Sequence, residues 1–164
     1  MKKITVEESA TLTSPQLFAL LLSKNIDGKI NIMGLSWLTF VSFNPGKILT
    51  CISQKGYTNE NLKKTKYFTL CLPLEEIKEQ SFRCCGISGR NIDKIKEIGL
   101  KLLEIEGFKV PAVEQCSVAW SLEVEKIIEE SDHTIFISLI KEAVLVNKKK
   151  HLLAFDGYRR LDTV

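Results

Sequence analysis

Short segments of β-forming residues, separated by turn signals, are the feature that most limits the fold of this chain. Segments 17–22, 47–53, 67–72 and 134–140 are rich in β-branched, aromatic or other apolar residues, and segment 118–126 partly alternates between apolar and polar residues. Few helical patterns lie between them. The sequence therefore predicts a mainly β protein with short helices, whose strands form a closed or nearly closed barrel without exposed edges.

The turn and helix signals complete this prediction. Ser14-Pro15 could open a helix, but Asp27-Gly28 predicts a two-residue hairpin turn and favours a strand over the apolar run before it. We predict three short helices, which are Thr58–Lys64 with Thr58 as its cap, about Leu74 to Gln80, and about Ile92 to Ile98 with Gly99 as its C-cap.

Composition limits the functional classes. The 164 residues, 45% of them hydrophobic, fit one domain over 1–164, and a net charge of +3 without a strong basic cluster argues against nucleic-acid binding. We expect no membrane segment and no export signal, because no apolar run approaches about 20 residues and the N-terminus turns acidic. Five cysteines without a Cys-x-x-Cys pair, and two histidines, favour reduced thiols in the cytoplasm over disulfides or a metal site.

The first candidate binding segment is a strand of unusual composition. It combines an amide, a glycine, a hydroxyl and a large aromatic ring, in the order Asn31, Ile32, Met33, Gly34, Leu35, Ser36, Trp37. A flat ligand could lie against the backbone at Gly34, with Asn31 and Ser36 as hydrogen-bonding groups. The alternative is a bulged strand that carries a half-buried Trp.

Three other segments carry candidate binding groups. Residues 53–59 lead from a strand into a helix, where Ser53, Lys55 and Thr58 could hold a phosphate, or simply form a capped helix start. Residues 83–90 predict a loop with two glycines, two arginines and the vicinal thiols of Cys84 and Cys85, whose redox use is a weaker alternative. Asp132-His133 could contact a ligand or form a local turn. No motif supports a hydrolase, a P-loop or a Rossmann site.

The order and spacing of these segments resemble the flavin reductase-like family, also called flavoredoxin-like, with its flavin mononucleotide (FMN)-binding split β-barrel. The family's run Asp-Gly-x-x-Asn-x-Met-x-x-x-Trp, followed by Val-Ser-Phe-x-Pro, is matched from Asp27 to Pro45. Its Ser-Gly-Arg-x-x-Asp-Lys loop is matched from Ser88 to Lys94, which adds Ser88 and Arg90 to the candidate cofactor residues. Asp132 to Phe136 and Asp156 to Tyr158 match two further motifs, so the resemblance covers nearly the whole chain.

The resemblance implies a homodimer with FMN in a groove at the subunit interface. The isoalloxazine ring would lie along Asn31–Trp37 and the phosphate near Ser53–Thr58, with His133 as the catalytic contact to the nicotinamide or the flavin edge. The implied activity is hydride transfer from NAD(P)H to FMN, and the partner is a small-molecule flavin or a redox protein. Two alternatives are a flavoredoxin-type electron carrier without nicotinamide use and a non-catalytic flavin-binding module. Gly34 and Gly56 depart from the family pattern and suggest looser FMN binding, whereas Cys85 stands where the family usually has a glycine and suggests a different shape for its loop.

Overall fold

The strands of the protein, described by a computed structural model of all 164 residues, form one large and two small antiparallel sheets. The strands are β1 (Gln16–Leu17), β2 (Ala19–Lys24), β3 (Ile30–Leu35), β4 (Leu38–Phe43), β5 (Gly46–Ser53), β6 (Tyr67–Pro73), β7 (Leu102–Leu103), β8 (Ala112–Val113), β9 (Cys116–Glu129), β10 (His133–Leu145), β11 (Leu153–Phe155) and β12 (Arg160–Asp162). The helices are α1 (Val6–Thr11), α2 (Tyr57–Thr65), α3 (Lys78–Gly86), α4 (Lys94–Ile98) and a 3-10 turn at Glu75–Ile77.

The large sheet has the strand order β3-β2-β6-β9-β10-β5-β4. Its two edge strands, β3 and β4, follow each other in the chain with only Ser36 and Trp37 between them. The sheet must therefore curl until its edges meet, although β3 and β4 do not pair. At the junction the Trp37 carbonyl oxygen accepts a hydrogen bond from the Cys51 N–H, which ties the connection to β5.

Strand β2 is buried on both faces and divides the core into two clusters. Leu20 and Leu22 lie in one cluster, which α3 and α4 cover, whereas Ala19 and Leu21 lie in the other. Helix α2 closes the second cluster with Leu62, whose side chain is fully buried. Two buried faces explain why this segment is a continuous apolar run rather than an alternating one.

The strands predicted from the sequence are confirmed in β5, β6, β9 and β10, and the apolar run is a strand as the turn signal favoured. The predicted two-residue turn is wrong, because residues 25–29 separate β2 from β3. The Asn25 side chain shapes this longer turn by accepting hydrogen bonds from the N–H groups of Asp27 and Lys29. Gly28 supplies the left-handed conformation, with φ of 83°.

The helix predictions need two corrections. Gly99 is the left-handed C-cap of α4, as predicted, but Gly56 rather than Thr58 is the N-cap of α2. The predicted helix at 74–80 is instead a 3-10 turn followed by α3, which extends to Gly86, because Ile77, Ser81 and Cys84 form one buried face at helical spacing. The first half of the predicted loop at 83–90 is therefore helical. No helix has the length and apolar character needed to cross a membrane.

Substitution of Leu62 tests whether packing against the second cluster holds α2 in place. We expect Leu62→Ala to lower the free energy of unfolding by about 2–5 kcal/mol, because the truncation leaves a cavity in the second cluster. Leu12→Ala is the matched control, since Leu12 is 72% exposed, and it should change stability by less than about 0.5 kcal/mol. Urea unfolding followed by circular dichroism measures both, and equal effects would show that α2 does not depend on this contact.

Candidate functional site

A groove runs along β3 and is bordered by the start of α2, the end of α3 with the segment after it, and the start of β10. It consists of two adjoining clefts of about 350 and 380 Å³. Met33, Gly34, Ser53 and Cys85 line both clefts, so the two form one continuous surface. The two ends of this groove differ in chemistry.

One end is polar and positively charged. Its 15 lining residues include Lys55 and Lys94 and no carboxylate. Helix α2 begins here at Gly56, which carries no side-chain cap, so the first N–H groups of the helix have no partner within it. The helix dipole adds partial positive charge at the same place. This end can hold an anion such as a phosphate.

The lysine at this end is held by the chain itself. Lys94 is 3% exposed, and its Nζ donates a hydrogen bond of 2.7 Å to the Cys84 carbonyl oxygen. Burial lowers the pKa of Lys94 from its usual value. Lys55 is therefore the exposed cation of the groove, and Lys94 is the buried one that the backbone holds.

A buried hydrogen bond joins β3 to α2 at the floor of this polar end. Asn31 Nδ2 donates to Thr58 Oγ1 at 2.8 Å, and both side chains are buried. The Asn31 Oδ1 atom has no hydrogen-bond partner. Gly89 packs against that oxygen so closely that a Cβ atom at position 89 would lie 2.0 Å from it. A ligand donor reaching this floor would satisfy an acceptor that the protein leaves free.

The other end of the groove is aromatic. The ring centroids of Trp37 and His133 are 4.8 Å apart with an angle of 39° between the planes. His133 Nδ1 lies 2.7 Å from Asp132 Oδ1, and this contact holds the pKa of the Asp132 carboxyl below its usual value. Tyr158 lines the same cleft, and its hydroxyl oxygen accepts a hydrogen bond of 2.5 Å from the Ser36 N–H. Burial raises the pKa of Tyr158, so this ring stays neutral.

Cys85 and Gly34 meet where the two clefts join. A Cβ atom at position 34 would lie 2.4 Å from Cys85 Sγ and 2.8 Å from the Phe18 ring. The missing side chain makes room for the Cys85 thiol, and the Gly34 backbone still lines both clefts. Gly34 and Cys85 are two of the three departures from the family pattern, and the Cys85 side chain fills the volume that is left free at Gly34.

The thiols of Cys84 and Cys85, two of the three cysteines that line the groove, are protonated at neutral pH. Burial raises the pKa of Cys85 to about 11, although Lys94 and the Gly34 backbone oppose the rise. Burial also raises the pKa of Cys84 to about 12. Because a thiolate is the reactive form of cysteine, neither residue is prepared for nucleophilic or metal chemistry.

The structure brings most of the predicted site residues together. Those that line the groove are Asn31, Met33, Gly34, Trp37, Ser53, Lys55, Thr58, Ser88 and His133. Four predicted residues do not line it. Ile32 and Leu35 are three positions apart on β3, so they face opposite sides of the sheet, because side chains alternate along a strand. Ile32 lies in the first core cluster and Leu35 in the second. Ser36 is buried and contributes its N–H to Tyr158.

Arg90 is the fourth predicted residue outside the groove lining. Its guanidinium binds both Glu60 carboxylate oxygens, at 2.9 and 2.5 Å, and donates to the Lys55 carbonyl oxygen at 3.2 Å. Its charge is therefore already paired on the surface of α2. Arg90 positions the backbone of Lys55 instead of facing the groove.

Sequence reasoning did not select several residues that line the groove. These residues are Cys51, Ile52, Gly56, Tyr57, Cys84, Cys85, Gly86, Ile87, Gly89, Lys94 and Tyr158. In the sequence, only their places in two family motifs distinguish Lys94 and Tyr158. Lys94 is buried and Tyr158 is half-buried, and the burial of a lysine or a tyrosine ring depends on tertiary contacts that a sequence does not display.

Comparison with known protein families shows to which family the chain belongs. Residues 13–162 match the family described as "Flavin reductase like domain". This chain belongs to the flavin reductase-like family. Its mainly β split-barrel fold, expected from the resemblance, is confirmed by solved structures of the same architecture.

Among these structures, flavoredoxin of Desulfovibrio vulgaris is 24% identical, with a TM-score of 0.86 over 100% of this chain and 93% of that one. The FMN-binding protein of Thermus thermophilus is 19% identical, with a TM-score of 0.86 over 99% of this chain and 94% of that one. An uncharacterized protein of Archaeoglobus fulgidus is 29% identical over 68% of this chain. The aligned part spans 63% of that relative's length.

The contact between Gly89 and Asn31 predicts a cost for any side chain at position 89. We expect Gly89→Ala to lower the free energy of unfolding by about 1–3 kcal/mol, because the added methyl group must displace the hydrogen-bonded Asn31. Gly86→Ala is the matched control in the same groove, where a Cβ atom would meet nothing within 4 Å. Thermal unfolding of the two variants measures the difference, and equal stability would contradict the packing described for Asn31.

Proposed function

We propose that this protein binds one FMN per subunit in the groove and acts as an NAD(P)H-dependent flavin reductase. The observation that carries the proposal is the division of one groove into a cationic end and an aromatic end. FMN has the same division, with a phosphate on a polar chain at one end and a planar tricyclic ring at the other. The family relationship and the FMN-binding neighbour support this choice of ligand.

Lys55 and the start of α2 are the groups we assign to the phosphate. The lysine supplies a full charge, and the free N–H groups of the helix supply directional donors. Thr58 and Asn31 lie one step further along the groove floor, where the free Asn31 Oδ1 can accept from a hydroxyl of the polar chain. Gly56 has no side chain and so contributes no charge to the phosphate site. A side chain at this position would be crowded, because its Cβ atom would lie 3.1 Å from the Ser53 carbonyl oxygen.

Met33, the Gly34 backbone and Cys85 form the surface that we assign to the ring, with Trp37 and His133 beside it. When bound, FMN supplies a ring that accepts a hydride from a nicotinamide and delivers the electrons to an acceptor. The protein's part is to orient flat rings, to exclude water and to keep neutral thiol and phenol groups beside them. His133, which contacts Asp132 and packs at an angle against Trp37, is the residue we assign to contact with the reacting rings.

We propose a homodimer, as expected from the resemblance. Strand β4 is an edge strand whose Phe40, Val41 and Phe43 are 43, 45 and 88% exposed. The Phe40 ring packs against Phe43 and Trp120, so these apolar groups form one patch. A second copy of the chain would cover the patch and the free edge together.

All five cysteines are unpaired, which supports the cytoplasmic location expected from the sequence.

A flavin titration tests the proposed ligand. We expect the flavin-free protein to bind FMN with quenching of flavin fluorescence, and Lys55→Ala to weaken binding about tenfold, because a charge-assisted contact worth about 1.4 kcal/mol is lost. Lys64→Ala is the control, since it removes the same charge from the opposite end of α2. The proposal fails if FMN does not bind, or if both substitutions weaken it equally.

Steady-state oxidation of NADH and NADPH by the FMN-loaded protein then tests the reductase activity. We expect turnover with at least one nucleotide when an electron acceptor is present. Tight FMN binding without oxidation of either nucleotide would refute the reductase proposal and leave flavin binding in place, as in the electron-carrier alternative.

Phe43→Glu tests the dimer. We expect the substitution to convert a particle of twice the 18.6 kDa chain mass into a monomer, because a buried charge opposes association through the patch. Val6→Glu is the control, since Val6 is 80% exposed and lies on α1, away from β4. Light scattering coupled to gel filtration measures the mass. An unchanged mass for Phe43→Glu would contradict association of two chains through the β4 patch.

A further inference from the structure

A second, larger pocket lies beside the groove, between α3 and β12. Its volume is about 660 Å³, and it is lined by Lys78, Glu79, Phe82, Arg83, Arg159, Arg160 and Leu161. We call it the arginine pocket. None of its residues lines the groove, and only Arg83 belongs to a segment that the sequence analysis singled out for candidate binding groups.

The arginine pocket has an excess of positive charge. Four of its seven lining residues are basic and one is acidic. Arg159 has no ion pair, and Arg83 lies 3.8 Å from Glu97, at the limit of a salt bridge between exposed side chains. Lys78 and Arg160 share a single partner, Asp162, at 3.5 and 2.7 Å. Exposed pairs of this kind contribute little, so a phosphate can compete for these donors.

The arginine pocket is connected to the flavin groove. A cleft of about 350 Å³ lies between them and shares Phe82 and Arg83 with the pocket, and Cys85 and Tyr158 with the groove. The length of α3 gives the distance between the arginine pocket and the groove. Lys78 and Cys85 are seven residues apart, which corresponds to about 10 Å along the helix axis. A ligand with one end at Cys85 can therefore reach the arginines with an extended arm.

We propose that the arginine pocket binds the phosphate-bearing adenosine half of the nicotinamide dinucleotide, while its nicotinamide ring lies in the groove. The inference rests on the proposed reductase function and names its co-substrate site. Phe82 is 47% exposed and offers an apolar face to an adenine ring beside the cations. Because the 2′-phosphate of NADPH adds negative charge where Arg159 is unpaired, the pocket should favour NADPH over NADH.

Arg159→Glu is the variant that tests the site, since Arg159 makes no ion pair whose loss would disturb the fold. We expect it to weaken binding of adenosine 2′,5′-bisphosphate at least tenfold by calorimetry, with or without FMN. It should raise the KM for NADPH by a similar factor and the KM for NADH by less. Reduced nicotinamide mononucleotide, which lacks the adenosine half, should show an unchanged KM.

Lys126→Glu is the control for net charge, because Lys126 is exposed on β9, outside both the groove and the pocket. It should leave all these values within about twofold. Unchanged bisphosphate binding by Arg159→Glu, or no binding by the native protein, overturns the inference. A separate FMN titration distinguishes the two proposals, since Arg159→Glu should bind FMN like the native chain, whereas failure of the native chain to bind FMN refutes the proposed function instead.

Discussion

The hydrogen bond from the Asn31 amide to the Thr58 hydroxyl holds β3 against the start of α2 at the polar end of the groove. Asn31 belongs to β3, whose following residues lead towards the aromatic end, and Thr58 belongs to the first turn of α2, which forms the cationic end. Gly89 closes against the same amide from the segment after α3. Because all three segments meet at one buried side chain, its position fixes how β3, the start of α2 and the segment after α3 lie relative to one another at this end of the groove.

The contact between Gly34 and Cys85 shows how the groove tolerates two unusual residues. A thiol on α3 occupies the volume that a side chain on β3 would otherwise take. The sulfur stays protonated, because burial raises the pKa of Cys85 to about 11. The ring end is therefore lined by neutral groups, Met33, Cys85 and Tyr158 among them, while the positive charge is confined to the other end. This separation is what an amphiphilic ligand requires.

The sequence predicted the parts of the fold that local patterns determine. Apolar runs predicted the main strands, and Gly99 marked the end of α4. Thr58 illustrates the limit, because a threonine at a helix start can cap the backbone or bond elsewhere, and only the approach of β3 decides that it accepts from Asn31. Arg90 is similar, since its pairing with Glu60 depends on how the segment after α3 folds back on α2. The helix α1 had a local signal, the capping box of Thr5 and Glu8, which the prediction did not use.

A crystal structure of the chain grown with FMN tests the central claim most directly. The account predicts electron density for the phosphate between Lys55 and the first turn of α2, and for the ring over Met33 and Gly34, with Trp37 and His133 beside it. Density for FMN elsewhere, or a groove filled by its own side chains at saturating FMN, would contradict it.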